Sequence, residues 1–249
     1  MRNQEVDNLK EIFLRSGKEE VFLEHLWDRD DMFWEGINFI NKLNVKKLET
    51  EGSWFSHARF LITGRIINHL VASYQMLKMG LEDEFLILYR QSLENIWLLK
   101  YFIKNPSDTE KWIKEGAKIE PWQRRKALDD TRRAKKVYDE LCNVVHSNHN
   151  SFWGVCVGGI INKPIIDKLY ANLTLSMNEL LSYLNEIIKK YDKSMSRKYT
   201  QTFIEIGDKL NMCLCISNYL LNPAKIEKIL KDNNNEDVIE YLHSKYKIT

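Results

Sequence analysis

The sequence predicts an all-α fold, a single domain of long packed helices, and three observations predict it. Apolar residues recur at spacings of three and four, most clearly Leu169, Leu173, Met177, Leu180, Leu184, Ile187 and Tyr191, the period of one buried helix face. Residues that punctuate chains are scarce, with 10 glycines and 4 prolines in 249 residues, which disfavours a turn-rich sheet protein. Hydrophobic residues make up 44% and charged residues 29%, enough apolar surface to bury a sizeable core and too much for a disordered chain.

Taken in order, the pattern predicts helices over 4–15, 18–27 and 30–43, then a polar connector, NVKKLETEGS. The stripe Ala58, Ile62, Ile66, Leu70, Tyr74, Leu77 predicts a helix over 54–79, and a further helix follows over 82–104. Asn105-Pro106-Ser107 stops that helix and starts the next, because proline cannot continue a helix and serine can accept an early amide. Helices are then expected over 107–118 and 122–146. The stretch WGVCVGGIINKPII, 153–166, breaks the period with short apolar runs around Gly158-Gly159 and reads as a hairpin or ordered loop. Helices resume over 165–192, 197–221 and 223–231, and the polar joint KDNNNED precedes a last one over 236–246. The organisation expected is an N-terminal helical extension (1–52), a helical core domain (53–222) and C-terminal accessory helices (223–249).

A formal net charge of +2 predicts neither nucleic-acid nor membrane binding. No run approaches the ~18 apolar residues of a bilayer span, and no basic segment followed by an apolar one opens the chain, so neither a membrane anchor nor a secretory leader is expected. Cys142, Cys156, Cys213 and Cys215 contain no CxxC pair, and reduced thiols in a cytoplasmic protein are the plain reading. P-loop, GxGxxG, HExxH and GxSxG patterns do not occur, which leaves nucleotide hydrolysis, dinucleotide binding and serine hydrolysis without support.

On a helical wheel of 82–104, Glu84, Gln91 and Asn95 mark a wet side. Arg90 and Glu94 fall opposite, among Leu86, Ile87, Leu93, Trp97, Leu98 and Tyr101. A surface ion pair needs no apolar surroundings, and burying two charges is costly unless they are paired and hydrogen-bonded. The pair is therefore either a structural clamp between helices or part of a polar pocket that binds an anion or handles protons. In the helix expected over 122–146, Tyr138, Cys142 and His146 step by fours along one face. His146 reads equally as a dipole-complementing helix end and as a functional group. The spacing C-x3-H-x2-H-x6-C through Cys142, His146, His149 and Cys156 has the donor count of a zinc site without its usual close pairs, so no metal or other cofactor is expected.

The combination of Arg90-x-x-x-Glu94 on an apolar helix with Tyr138-x-x-Leu141-x-x-x-Val145-His146 resembles an uncharacterised bacterial all-helical family, over about residues 55–190. That resemblance implies a shared polar site at Arg90, Glu94, Tyr138 and His146 and no established activity. More distantly the chain resembles the HEPN helical bundles of toxin–antitoxin and phage-defence systems, many of them RNases with an Arg-x(4–6)-His motif. Here only Arg65-x3-His69 stands, one residue short.

Seven cations fall within thirteen residues at Arg124, Arg125, Lys126, Arg132, Arg133, Lys135 and Lys136. The run reads as a solvated face or as a phosphate footprint, with Arg124, Arg125, Arg132, Arg133 and Lys136 as candidate nucleic-acid contacts. Trp112, Trp122 and Trp153 read as core. Two functions are expected: a non-catalytic interaction or regulatory module of a bacterial stress or phage-defence system, and, as the alternative, a metal-independent RNase using the His/Arg cluster. The partner of the first is another protein or a second copy of the chain; that of the second is RNA.

Overall fold

The structure, a computed structural model, describes residues 16–79, 81–145 and 163–246, and among these it is all-α, with ten helices and no strand. They are α1 (Ser16–Asn44), α2 (Ser53–Lys78), α3 (Glu82–Lys104), α4 (Asp108–Glu115), α5 (Pro121–Lys126), α6 (Thr131–Val145), α7 (Lys163–Tyr191), α8 (Lys193–Leu221), α9 (Pro223–Asp232) and α10 (Glu236–Lys245).

Two helical hairpins make the body. α2 and α3 are joined by a short turn, and α7 and α8 by the single residue Asp192; connections this short force antiparallel neighbours. Asp192 makes the tight reversal workable, because its carboxylate accepts the Met195 amide at 2.8 Å as the N-cap of α8. α1 packs across α2, α7 and α8, and α5, α6 and α7 pack against α3. One core cluster joins Phe33, Ile37 and Ile40 of α1 to Ile66, Leu70, Ile96, Leu99, Leu173, Met177, Leu184 and Leu210. At Gly36 the approach of α1 is close: a Cβ there would lie 2.6 Å from Met177 Cε. A second, smaller cluster of Ile216, Tyr219 and Leu242 lies where α10 meets the end of α8.

Three expectations are corrected. The helices expected over 18–27 and 30–43 are one, α1. The run Asp28-Arg29-Asp30-Asp31 looks like a solvated break, but Arg29 is fully buried, and its Nη1 donates to Asp167 Oδ1 and Ser217 Oγ, each at 2.8 Å. Tyr170 returns a hydrogen bond to the Arg29 carbonyl at 2.5 Å, and the Tyr74 hydroxyl bonds Asp30. Arg29 and Asp30 therefore form a four-helix tie rather than a joint. The helix expected over 122–146 is two, α5 and α6, because Asp130 begins a new helix by accepting the Arg133 amide at 3.0 Å. Asn95, expected on the wet side, is buried and donates to the Gln91 carbonyl at 2.7 Å, since α3 is enclosed nearly all round beyond Ser92.

The helix expected over 4–15 lies outside the described residues, as does the hairpin reading over 153–162; residues 163–166 form the first turn of α7, with Pro164 early in the helix where its missing amide is tolerated. No helix among the described residues is long and apolar enough to cross a membrane.

Candidate polar site on α3

The geometry around Arg90 follows from three helix placements. α3 carries Arg90 and Glu94 one turn apart, and Arg90 Nε donates to Glu94 Oε1 at 3.0 Å. Both side chains are turned from solvent, at 14% and 16% exposure. α6 lies along α3 and brings Tyr138 against the pair: Arg90 Nη2 donates to its hydroxyl at 3.2 Å, and Trp97 flanks its ring at 6.3 Å between centroids. α5, started by Pro121 and a capping box between Glu120 and Gln123, turns two further arginines inward. Arg124 lies 3.5 Å from Glu94 Oε2 and donates through Nε to the Ile119 carbonyl at 3.0 Å.

The Tyr138 ring has two guanidinium neighbours, Arg90 at 5.0 Å and Arg125 at 4.6 Å from its centroid, a cation–π arrangement worth about 0.5–2 kcal/mol per contact depending on desolvation. Burial first, and the hydrogen bond with Cys142 second, push the Tyr138 phenol above its usual pKa. Burial also holds the Arg124 guanidinium below its usual value, opposed by Glu94. The result is three guanidiniums gathered around the Glu94 carboxylate and the Tyr138 phenol, with Glu120 also acting on Arg124.

The structure thus brings together Arg90, Glu94 and Tyr138, and adds Arg124 and Arg125, which the sequence placed on a basic face. His146 lies outside the described residues, with His149 and Cys156. The basic run does not form one surface: Arg124 and Arg125 face Glu94 and Tyr138, Arg132 and Lys136 are exposed, and Lys135 is 3.6 Å from Asp139. Trp122, expected in the core, is 51% exposed and lies under Lys126, 4.7 Å from its ring centroid, whereas Trp112 packs on Phe102 at 5.4 Å. On α2, Arg65 is exposed and His69 is half-buried; burial first and Arg65 second lower the His69 pKa, which favours the neutral ring. Among the described residues no three metal-ligating side chains gather. No family model, curated protein or solved structure matches the chain, so the site is read from its own geometry.

That geometry fixes an order of mutational effects. Removing Arg90 leaves Glu94 with Arg124, whereas removing Glu94 leaves two guanidiniums without their carboxylate. Arg90→Ala is expected to cost about 1–3 kcal/mol and Glu94→Leu more, both tempered by residual solvent. Arg90→Met combined with Glu94→Leu should cost less than the sum of the two, with a coupling of about 0.5–3 kcal/mol. Urea unfolding midpoints read all three; if both single variants melt like wild type, the pair is solvated and the clamp does not exist.

Proposed function

We propose that the chain is a non-catalytic interaction or regulatory module, in which Arg90, Glu94, Tyr138, Arg124 and Arg125 clamp α5 and α6 onto α3. The observation that carries this reading is that both oxygens of Glu94 face guanidiniums. Arg90 holds one Glu94 oxygen and Arg124 faces the other, while Tyr138, held neutral, accepts from Arg90. A general base must reach a substrate proton, and this carboxylate, 16% exposed with each oxygen turned to a guanidinium, is placed as an ion-pair partner instead. The resemblance to HEPN bundles suggests a setting in bacterial stress or phage defence, with a protein partner.

A second reading, a metal-independent RNase, draws on the charge excess of the same cluster. A phosphate could share the guanidiniums that Glu94 alone does not neutralise, with His146 as acid or base. Incubation of the full chain with a mixed pool of single-stranded and structured RNA separates the two. The expected result is intact RNA, with or without chelator. Cleavage that His146→Ala lowers by about a hundredfold or more would replace the module with a nuclease.

A further inference from the structure

A cleft of about 890 Å³ opens between α3, α6 and α7; it shares Trp97 with the surroundings of Tyr138 but is not lined by Arg90, Arg124 or Arg125. Its floor is the edge of the core: Leu93 and Leu169 are buried, and Leu86 and Val137 pack part-buried beside them. Its lining runs from Glu82 to Trp97 on α3 and from Lys168 to Tyr183 on α7, each a length of about 22 Å at 1.5 Å per residue. That length matches a helix of some four turns laid along the cleft. A compact ligand would instead be enclosed over most of its surface.

Charge specifies the occupant further. The described lining residues include six carboxylates, Glu82, Asp83, Asp129, Asp130, Glu140 and Glu179, against two cations, Arg133 and Lys168, on a chain whose formal net charge is +2. Asp129 is already 3.5 Å from Lys104, yet negative charge predominates above the apolar floor, and such a cleft attracts the opposite charge. Glu179, half-buried, is the acid on the α7 wall. Tyr183 donates to its Oε1 at 2.5 Å, Arg133 and Lys100 act on it only at longer range, and Lys100 is engaged by Glu186 at 2.7 Å. Burial pushes the Glu179 carboxyl above the usual range, and burial followed by the neighbouring Asp83 does the same to Glu82. Each is a carboxylate that an incoming cation would stabilise.

We propose that this cleft is the docking groove for a basic amphipathic helix of a protein partner. The apolar face of that helix lies on Leu86, Leu93, Val137 and Leu169, and its lysines or arginines pair with Glu179 and the surrounding carboxylates. This rests on the interaction-module reading and names the chemistry of its partner; the mode is a helix laid in a groove and read through anchors at i, i+3, i+4 and i+7.

The test is fluorescence anisotropy of the full chain with three labelled synthetic helices of about fifteen residues. One carries leucines at helical spacing with lysines on the flanks, the second replaces lysine by glutamate, and the third replaces leucine by serine. The leucine–lysine peptide is expected to bind with Kd in the micromolar range and the other two at least tenfold more weakly, since both floor and carboxylates are required. Glu179→Gln, a nearly isosteric change, should weaken the first peptide by about fivefold or more, and Val137→Arg should block it while circular dichroism stays native. Acidification from pH 7 towards 5 should weaken it too, because raised carboxyl pKa values make Glu179 and Glu82 lose charge earlier than ordinary glutamates. Equal binding of the glutamate or the serine peptide, indifference to Glu179→Gln and Val137→Arg, or no binding at all because the chain's own residues fill the groove, each overturns the proposal. Absence of peptide binding with intact RNA removes the groove and leaves the module reading. RNA cleavage dependent on His146 removes the module reading whatever the peptides do.

Discussion

Replacing Arg29 by alanine is expected to lower the unfolding free energy by about 3–5 kcal/mol, the usual cost of breaking a buried ion pair from one side. The side chain is fully buried, and so, at 2–3% exposure, is its partner Asp167. Truncation removes the guanidinium from Asp167 and Ser217 at once, so α1 loses these side-chain bonds to α7 and α8, while the Tyr170 bond to the residue 29 carbonyl remains. In a domain of this size about 1 kcal/mol shifts the melting temperature by roughly 2–4 °C, so the variant should melt on the order of 10 °C lower. Arg29→Met with Asp167→Leu should recover much of the loss, because replacing a buried pair by apolar groups of similar volume is often neutral or better. Thermal melting of the three proteins checks this; an Arg29→Ala protein that melts like wild type would mean the tie contributes nothing.

Arg29 also marks where sequence reasoning stops. The all-α fold and the long helices were legible because their apolar stripes are local and periodic. The inward turn of Arg90 and Glu94 was legible for the same reason, since their neighbours on one helix are apolar. What was not legible depends on partners far along the chain. A charged run such as Asp28 to Asp31 looks solvated until Asp167 and Ser217 are brought to it, and Asn95 looks wet until α3 is enclosed. The break between α5 and α6 did carry a signal, Asp130 before Thr131, a capping residue at a helix start. As one helix the run would group Arg124 and Arg125 with Arg132 and Lys136, and the break redirects them to Glu94 and Tyr138. The cleft carboxylates come from three helices and the connection between α5 and α6, and no one-dimensional pattern collects them.

Arg59 should be the second costly position. Its guanidinium grips Glu51 with both arms, Nε at 2.6 Å and Nη2 at 3.0 Å, and also donates to the carbonyls of Asn44 at 3.1 Å and Lys46 at 2.8 Å. It thereby closes the C-terminal end of α1, where last-turn carbonyls lack intrahelical donors and a cation opposes the helix dipole. Arg59→Ala strands a Glu51 carboxylate that is itself fully buried, and a loss of about 3–5 kcal/mol is expected. Arg59→Lys keeps the charge but not the planar fork, so it should still lose more than half of that. Urea midpoints of the two variants, with Glu51→Gln beside them, decide the matter: a lysine variant as stable as wild type would show that charge alone suffices and that the fork is incidental.

The span of the Arg29 tie has a consequence for biosynthesis. Its partners lie 138 and 188 residues further along the chain. A ribosome adding about 5–20 residues per second needs roughly 10–40 s to reach the second of them. Through that interval the face of α1 bearing Phe33, Ile37 and Ile40 has no α7 or α8 to cover it. The α2–α3 hairpin, with its short connection, can close within microseconds to milliseconds of emerging. The contacts of α1 with α7 and α8 are thus among the last to form, and a nascent chain halted before residue 217 is a natural client for a chaperone that holds exposed apolar helices.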